Sequence, residues 1–367
     1  MNEVVASWPA LFAPCPPGTP HVTLKFRVVR RGGHPLLFLP AAGQAAVSAL
    51  DLYPAQSPKA RAAKALLRLA LRWGCGPLLA TTSQMIPLAD PFLALLTRAA
   101  QGPPPAGPPF AVLAGNPHAP GRRFVFLLCG AEASPMAVVK AGGSVTARRL
   151  IAHESRLLAD CAGKFTGLPA VRATLVSDRV EAFALDFIRG ESPRANSGPA
   201  VAALLETWID RDRTVGLSEL PAWQRLVSTT PTNPLPPAVQ ALGESRLRPV
   251  LMHGDFAPWN IKVSGNQWTV MDWERGERAG IPGWDWFHFV VQPAVLVQRD
   301  RPEKIMADLD ALLASPGFIR YATATGMTGH ERLLALEYVD YCRQVTRQTE
   351  GRELLNALAA AMRAQWV

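Results

Sequence analysis

Residues 101–109 read Gln-Gly-Pro-Pro-Pro-Ala-Gly-Pro-Pro, and neither a helix nor a central strand can continue through them. Proline has no amide hydrogen to donate and fixes φ, so a run this dense breaks helices and is kept out of sheet interiors. The expected result is a semi-rigid connector over 101–109, with an N-terminal region over 1–100 on one side and a larger folding body on the other.

The N-terminal region reads as a small α+β unit. Residues 22–30 alternate as a strand does, Gly32-Gly33 supplies a turn, and Pro35 to Leu39 can return as the second arm of a hairpin. A helix is predicted from Ser57 to Trp73, with Ser57 as N-cap, Pro58 in the first turn and Gly74 just past the end. Its Arg61, Lys64, Arg68 and Arg72 share one face, and Ala62, Leu66, Leu69 and Trp73 share the opposite one. The simpler reading is a solvated basic face above a small core. The other is a helix that meets a membrane surface or a partner.

Beyond the connector, strands come first and helices later. Phe110–Ala114, Phe124–Leu128, Ala137–Lys140, Val171–Val176 and Ala182–Ile188 predict a five-stranded antiparallel sheet. One helix, Ala147 to Ala159, is inserted after the third strand. From Pro199 onward the pattern is mainly helical, clearest at Val201–Trp208 and Leu333–Cys342.

Composition excludes several classes. With 49% hydrophobic and 18% charged residues in a chain of 367, a packed core is expected and wholesale disorder is not. The net charge of +9 raises the question of an anionic partner, yet there is no zinc finger, no aromatic–basic RNA signature and no basic block of five. Nucleic-acid binding is therefore not expected, whereas a small anionic ligand fits the charge. Five scattered cysteines without a Cys-X-X-Cys pair point to a reducing compartment. Histidine spacing gives no structural zinc site. Residues 1–20 have no basic head and no sustained apolar stretch, so no secretory signal is expected. Arg68 and Arg72 interrupt the richest apolar segment, and Pro87 and Asp90 the next, so no membrane span is expected either. These features predict a soluble, cytoplasmic protein.

The chemistry concentrates in Val250-Leu-Met-His-Gly-Asp-Phe-Ala-Pro-Trp-Asn260 and Trp268-Thr-Val-Met-Asp-Trp-Glu274. An acid, an amide five positions later and a second acid after a short apolar strand are the groups that phosphoryl transfer needs. That reaction asks the protein for positioning and charge compensation more than for covalent chemistry. Asp255 can accept the proton of an attacking hydroxyl, while Asn260 and Asp272 offer the hard oxygens that magnesium prefers.

Here the chain resembles the aminoglycoside phosphotransferase and choline kinase family of the protein-kinase-like fold. His253-Gly254-Asp255, with Asn260, looks like its catalytic loop, and Met271-Asp272-Trp273-Glu274 like its counterpart of the kinase Asp-Phe-Gly segment. The resemblance implies a two-lobed kinase-like body, with the five-stranded lobe at 110–190 and the helical lobe at 191–367. It also implies ATP or GTP and Mg2+ as cofactors, and a small-molecule hydroxyl as acceptor, such as a sugar, an amino alcohol or an aminoglycoside. Lys140 would hold phosphates and Glu154 would orient Lys140, in preference to Glu132 or Glu181. The end of the fifth strand, Leu185-Asp186-Phe187-Ile188, would carry the base of the nucleotide, and Arg189-Gly190-Glu191 would turn out of that hinge.

Among the neighbours of Asp255, His253 would support the loop by hydrogen bonds, a general-acid role being the lesser reading. Asp285 would brace it by accepting backbone amides, and Trp259 and Trp273 would pack it in place. Trp284, Trp286 and Phe289 read as core. The glycine loop departs from the kinase pattern, because Gly115–Gly121 has two glycines and two prolines. The runner-up reading is a pseudokinase or nucleotide-binding scaffold acting through its N-terminal region. A protein kinase is disfavoured, because no arginine precedes the aspartate and no Ala-Pro-Glu segment follows Asp272.

Overall fold

The computed structural model of the chain describes residues 7–41, 43–53, 55, 58–101, 110–115, 121–130, 133–194, 197–230, 236–346 and 348–366. It divides into two compact units, Met1–Asp160 with Pro169–Ile188, and Cys161–Leu168 with Arg189–Val367. The chain thus crosses between them three times, the last between Ile188 and Arg189.

The first unit is built on one sheet of eight strands. In chain order its elements are β1 (His21–Arg31), β2 (His34–Pro40), α1 (Gly43–Ala49), α2 (Pro58–Arg72), β3 (Ala80–Pro87), α3 (Pro91–Ala99), β4 (Phe110–Ala114), β5 (Phe124–Cys129), β6 (Pro135–Gly142), α4 (Val145–Cys161), β7 (Val171–Val176) and β8 (Glu181–Asp186). The strand order is β3-β1-β2-β4-β5-β6-β8-β7, antiparallel at every pairing. The five predicted strands are all present, and β8 pairs both β6 and β7, which leaves β7 at the edge. The sequence reading set 1–100 apart as an extension, but β2 pairs β4 through Leu37↔Leu113 and Phe38↔Val112, so the first hundred residues lengthen the same sheet by three strands. The connector predicted at 101–109 lies, beyond Gln101, outside the described residues.

Side-chain alternation explains why this sheet is one body. On β4, Phe110, Val112 and Ala114 face a core shared with Trp8, Phe12, Phe26, Phe92 and Phe126, while Ala111 faces the other way, toward Leu37, Leu39, Ala46, Leu50 and Leu71. A strand buried on both faces needs apolar residues at consecutive positions, which is what Phe-Ala-Val-Leu-Ala supplies. Trp8 meets Phe26 at 5.1 Å and Phe110 at 6.0 Å between centroids, both edge to face, the geometry that ring quadrupoles favour. Asp90 closes this side. Its Oδ1 accepts from the amides of Phe92 and Leu93, capping α3, and its Oδ2 accepts from Ala13 N at 2.6 Å.

One sequence reading is overturned at α2. The face placed over a core, Ala62–Leu66–Leu69–Trp73, is turned outward: Leu66 is 68% and Trp73 75% exposed. Leu67 and Leu71 pack inward instead. The helix carries two apolar stripes, and periodicity alone does not say which one the sheet takes. The predicted N-cap, Ser57, lies outside the described residues.

The second unit holds α5 (Gly198–Glu206), β9 (Val215–Gly216), α6 (Pro221–Thr229), α7 (Pro237–Glu244), β10 (Arg246–Leu247), β11 (Val250–Met252), β12 (Ile261–Ser264), β13 (Gln267–Val270), β14 (Glu277–Gly280), α8 (Trp284–Pro293), α9 (Pro302–Leu313), α10 (Pro316–Thr325), α11 (Glu331–Gln344) and α12 (Arg352–Trp366). Its strands form three short antiparallel pairs, β9–β10, β11–β14 and β12–β13. The last two frame the segment 253–260 with backbone hydrogen bonds on both sides. Among the described residues no helix is long and apolar enough to cross a membrane.

Candidate active site

In the second unit, β11 delivers the chain to His253, and the turn that follows requires glycine. Gly254 has φ +75°, and a Cβ there would lie 2.8 Å from the carbonyl oxygen of Arg275. The loop is then pinned from three directions. Asp285, in the first turn of α8, accepts from His253 N at 2.7 Å and from Gly254 N at 2.9 Å. Burial pushes the Asp285 carboxyl up, and the two amide donors offset this only in part, so that it stands at about 7. The bracing role expected of this residue is what its geometry provides.

His253 is wholly buried and has both ring nitrogens in use. Nδ1 accepts from Asp255 N at 3.1 Å, so Nε2 carries the hydrogen and donates to the Met271 carbonyl at 2.8 Å. Burial lowers its pKa to about 4. A neutral imidazole with no nitrogen to spare positions the loop; it does not exchange protons with a substrate. The general-acid reading of His253 thus has no free ring nitrogen behind it, and of the two residues only Asp255 presents its functional group.

The Asp255 carboxylate is oriented at both oxygens. Oδ2 accepts from Asn260 Nδ2 at 2.9 Å, and the same amide nitrogen donates to the Asp255 carbonyl at 2.8 Å. Oδ1 lies 3.0 Å from His288 Nε2, although the ring N–H is not aimed squarely at it. Burial pushes this carboxyl up, but His288, Arg275 and His253 outweigh that and hold it down at about 2. About a third of the side chain remains exposed, enough for a hydroxyl to approach.

His288 is the residue that sequence reasoning missed. It sits three positions after Asp285 on α8, hence on the same face as the brace, and that spacing was the available signal. Its Nδ1 is 2.9 Å from Tyr338 Oη, which accepts from Gln292 Nε2 at 3.2 Å. The tyrosine hydrogen is thereby directed at Nδ1, which leaves the imidazole hydrogen on Nε2 facing Asp255. Trp284 and Trp286 are buried on the same helix, as expected of core residues.

Asn260 and Asp272 stand at the open end of the β12–β13 hairpin. The register Ile261↔Val270 and the bond from Met271 N to the Asn260 carbonyl at 2.7 Å set them one step apart across it. Both Asn260 Nδ2 bonds go to Asp255, which leaves Oδ1 as the atom to meet a ligand. Asp272 is exposed and left-handed, with φ 65° and ψ 57°, a conformation that aspartate tolerates better than most residues. Among the described residues no group of three His, Cys, Asp or Glu could hold a metal by itself. Two hard oxygens suit magnesium, which keeps waters and takes phosphate oxygens for the rest of its shell.

In the first unit, Lys140 on β6 and Glu154 on α4 form the expected pair, Nζ to Oε1 at 2.6 Å, with the residues 8% and 1% exposed. Glu132 lies outside the described residues, as do 116–120 of the glycine-poor loop, His118 included. Of the hinge candidates, the exposed carboxylate of Asp186 is paired across the sheet with Arg172, so its side chain is committed there. The backbone beyond β8 continues with Phe187 N donating to the Met136 carbonyl at 2.9 Å, and Ile188 is half-buried.

No family model matches the chain, and no curated protein does. Solved structures do. An aminoglycoside phosphotransferase of Streptomyces rimosus aligns with 68% of this chain and 96% of its own at 13% identity and a TM-score of 0.43. A macrolide 2'-phosphotransferase of Brachybacterium faecium aligns over 72% and 97%, with 18% identity and a TM-score of 0.39. A choline kinase of Cryptosporidium parvum aligns over 70% and 88%, with 11% identity and a TM-score of 0.41. At these values the chemistry is read from the side chains described above.

Proposed function

We propose that this chain is a small-molecule kinase, moving the γ-phosphoryl group of ATP or GTP to an alcohol acceptor. The observation that carries the reading is the state of Asp255, a carboxylate kept ionised beside His288 and oriented by Asn260 on a loop braced by Asp285. A group with a pKa of about 2 is a weak base toward a free alcohol. It is sufficient for phosphoryl transfer, because the hydroxyl hydrogen becomes strongly acidic only as the oxygen bonds to phosphorus. Asp255 therefore orients the nucleophile first and takes its proton late.

The buried Lys140–Glu154 pair supports the same reading. Placing two charges in a protein interior costs several kcal/mol per ion before their attraction is counted, on the order of the loss from a deleted core side chain. A lysine fixed in this way serves as a preset cation for phosphate oxygens. Asn260 and Asp272 would hold magnesium, which when bound neutralises phosphate charge. The chain's net charge of +9 suits a neutral or anionic acceptor, such as a sugar derivative, better than a polycation.

The test is nucleotide-dependent release of ADP or GDP with magnesium and a panel of sugars, amino alcohols and aminoglycosides. Acceptor-dependent release by the wild type, absent in Asp255→Asn, supports the proposal. Thermal stabilisation by nucleotide without turnover on any acceptor would favour the nucleotide-binding scaffold.

A further inference from the structure

We infer that α2 is an interfacial helix that docks the first unit on an anionic lipid surface. Its outward stripe consists of Ala62, Leu66, Leu69 and Trp73, at helical spacing, with Leu66 68%, Leu69 42% and Trp73 75% exposed, and Leu78 follows the helix at 86%. A large aromatic and three leucines exposed along one short segment form an apolar strip with no counterpart among the described residues. The charged residues of the helix are all basic. Residues 58–72 contain Lys59, Arg61, Lys64, Arg68 and Arg72, and no acid.

Two of these cations are used internally. Asp51 takes Arg68 at 2.5 Å and Lys64 at 3.8 Å. Lys59, Arg61 and Arg72 make no ion pair among the described residues. At 100° per residue, Arg61 and Arg72 lie roughly 120–140° around the helix from Leu66. When the leucines and the indole enter the boundary between headgroups and acyl chains, the arginines then come level with the headgroup phosphates. A stripe of leucine and tryptophan bordered by arginine, with Lys59 at its N-terminal end, is the pattern of helices that lie in a membrane interface. Fifteen residues rise only about 22 Å, too short to cross a bilayer and suited to lying flat.

Charge complementarity selects this occupant over a second copy of the chain. A two-fold contact through α2 would set its cations against the same cations of the other copy, and like charges brought together at an interface oppose association. An anionic headgroup layer attracts all of them, and the net charge of +9 adds to the attraction at long range.

The experiment is flotation of the full chain with phosphatidylcholine vesicles and with phosphatidylcholine–phosphatidylglycerol vesicles, at low and high salt. Expected is binding to the anionic vesicles alone, weakened by salt. The partition coefficient should fall at least about tenfold in Leu66→Ser/Trp73→Ser and in Arg61→Gln/Arg72→Gln. Because all four side chains point away from the core, thermal unfolding should be unchanged in both variants. Absence of binding to anionic vesicles, or binding that the apolar double variant leaves intact, overturns the inference. So does concentration-dependent dimerisation in sedimentation that the apolar variant abolishes while vesicles are ignored.

Discussion

His288 Nε2 stands 3.0 Å from Asp255 Oδ1, and the hydroxyl of Tyr338, 2.9 Å from Nδ1, settles which ring nitrogen carries the hydrogen. A helix residue thus stands among the groups, with Arg275 and His253, that hold down the carboxyl of a loop residue 33 positions earlier in the chain.

Removing the imidazole should raise the Asp255 pKa from about 2, since burial then acts against fewer compensating groups. A depressed carboxyl is active above its pKa and loses activity as pH falls through it. In His288→Ala the acid limb of kcat/KM should therefore move upward by about one unit, with Tyr338→Phe giving a smaller shift in the same direction. A profile superimposable on the wild type would remove His288 from the site.

Asp255→Asn should lower kcat by about two to four decades and leave nucleotide affinity within a few-fold, because the amide can still orient a hydroxyl but cannot take its proton. Rapid-quench or coupled ADP assays with equilibrium nucleotide binding separate the two effects. A parallel loss of affinity would point to a binding role.

Lys140→Met and Glu154→Leu should each destabilise by about 3–5 kcal/mol, since either deprives a buried charge of its ion-pair partner. The double variant should recover most of that stability in denaturant unfolding and none of the activity. Recovery of both would mean the pair is structural.

Glu337 gives a prediction independent of function. Burial, helped by Asp340, raises its carboxyl to about 7 from an ordinary 4.5. A raised folded-state pKa means the folded form holds the proton more tightly, so stability is fullest below about pH 4.5 and declines as pH rises to about 7. Glu337→Gln should therefore stabilise at about pH 8 by up to about 3 kcal/mol and hardly at all at about pH 4.5. Thermal melts at the two pH values test it. A gain of equal size at both would assign the effect to packing.

Much of the frame was legible locally. Strands β4 to β6 and β8 follow from runs such as Phe-Val-Phe-Leu-Leu, because burial on both faces demands unbroken apolar sequence, whereas β7 and helix α4 follow from their alternating and helical spacing. β3 was missed because Ala-Thr-Thr-Ser-Gln-Met-Ile-Pro is an edge strand paired only to β1, and its first four residues are all exposed, so no buried face imprints an alternation on the sequence. Asp90 was taken as an interruption of an apolar segment, whereas its position as the cap of α3 depends on where the helix begins.

Sequence by itself determined the chemistry on offer: the His-Gly-Asp loop, the amide five positions on, the second acid after a strand, and a lysine and glutamate at suitable distances. These are fixed by short-range spacing, which the backbone converts directly into geometry. Only the tertiary structure decided that the first hundred residues share the sheet, that Leu66 and Trp73 of α2 face outward, and that His288, held by Tyr338, stands beside Asp255. Each of those depends on which of several compatible apolar or polar faces meets a partner distant in the chain, and a one-dimensional pattern records the face without recording what lies opposite it.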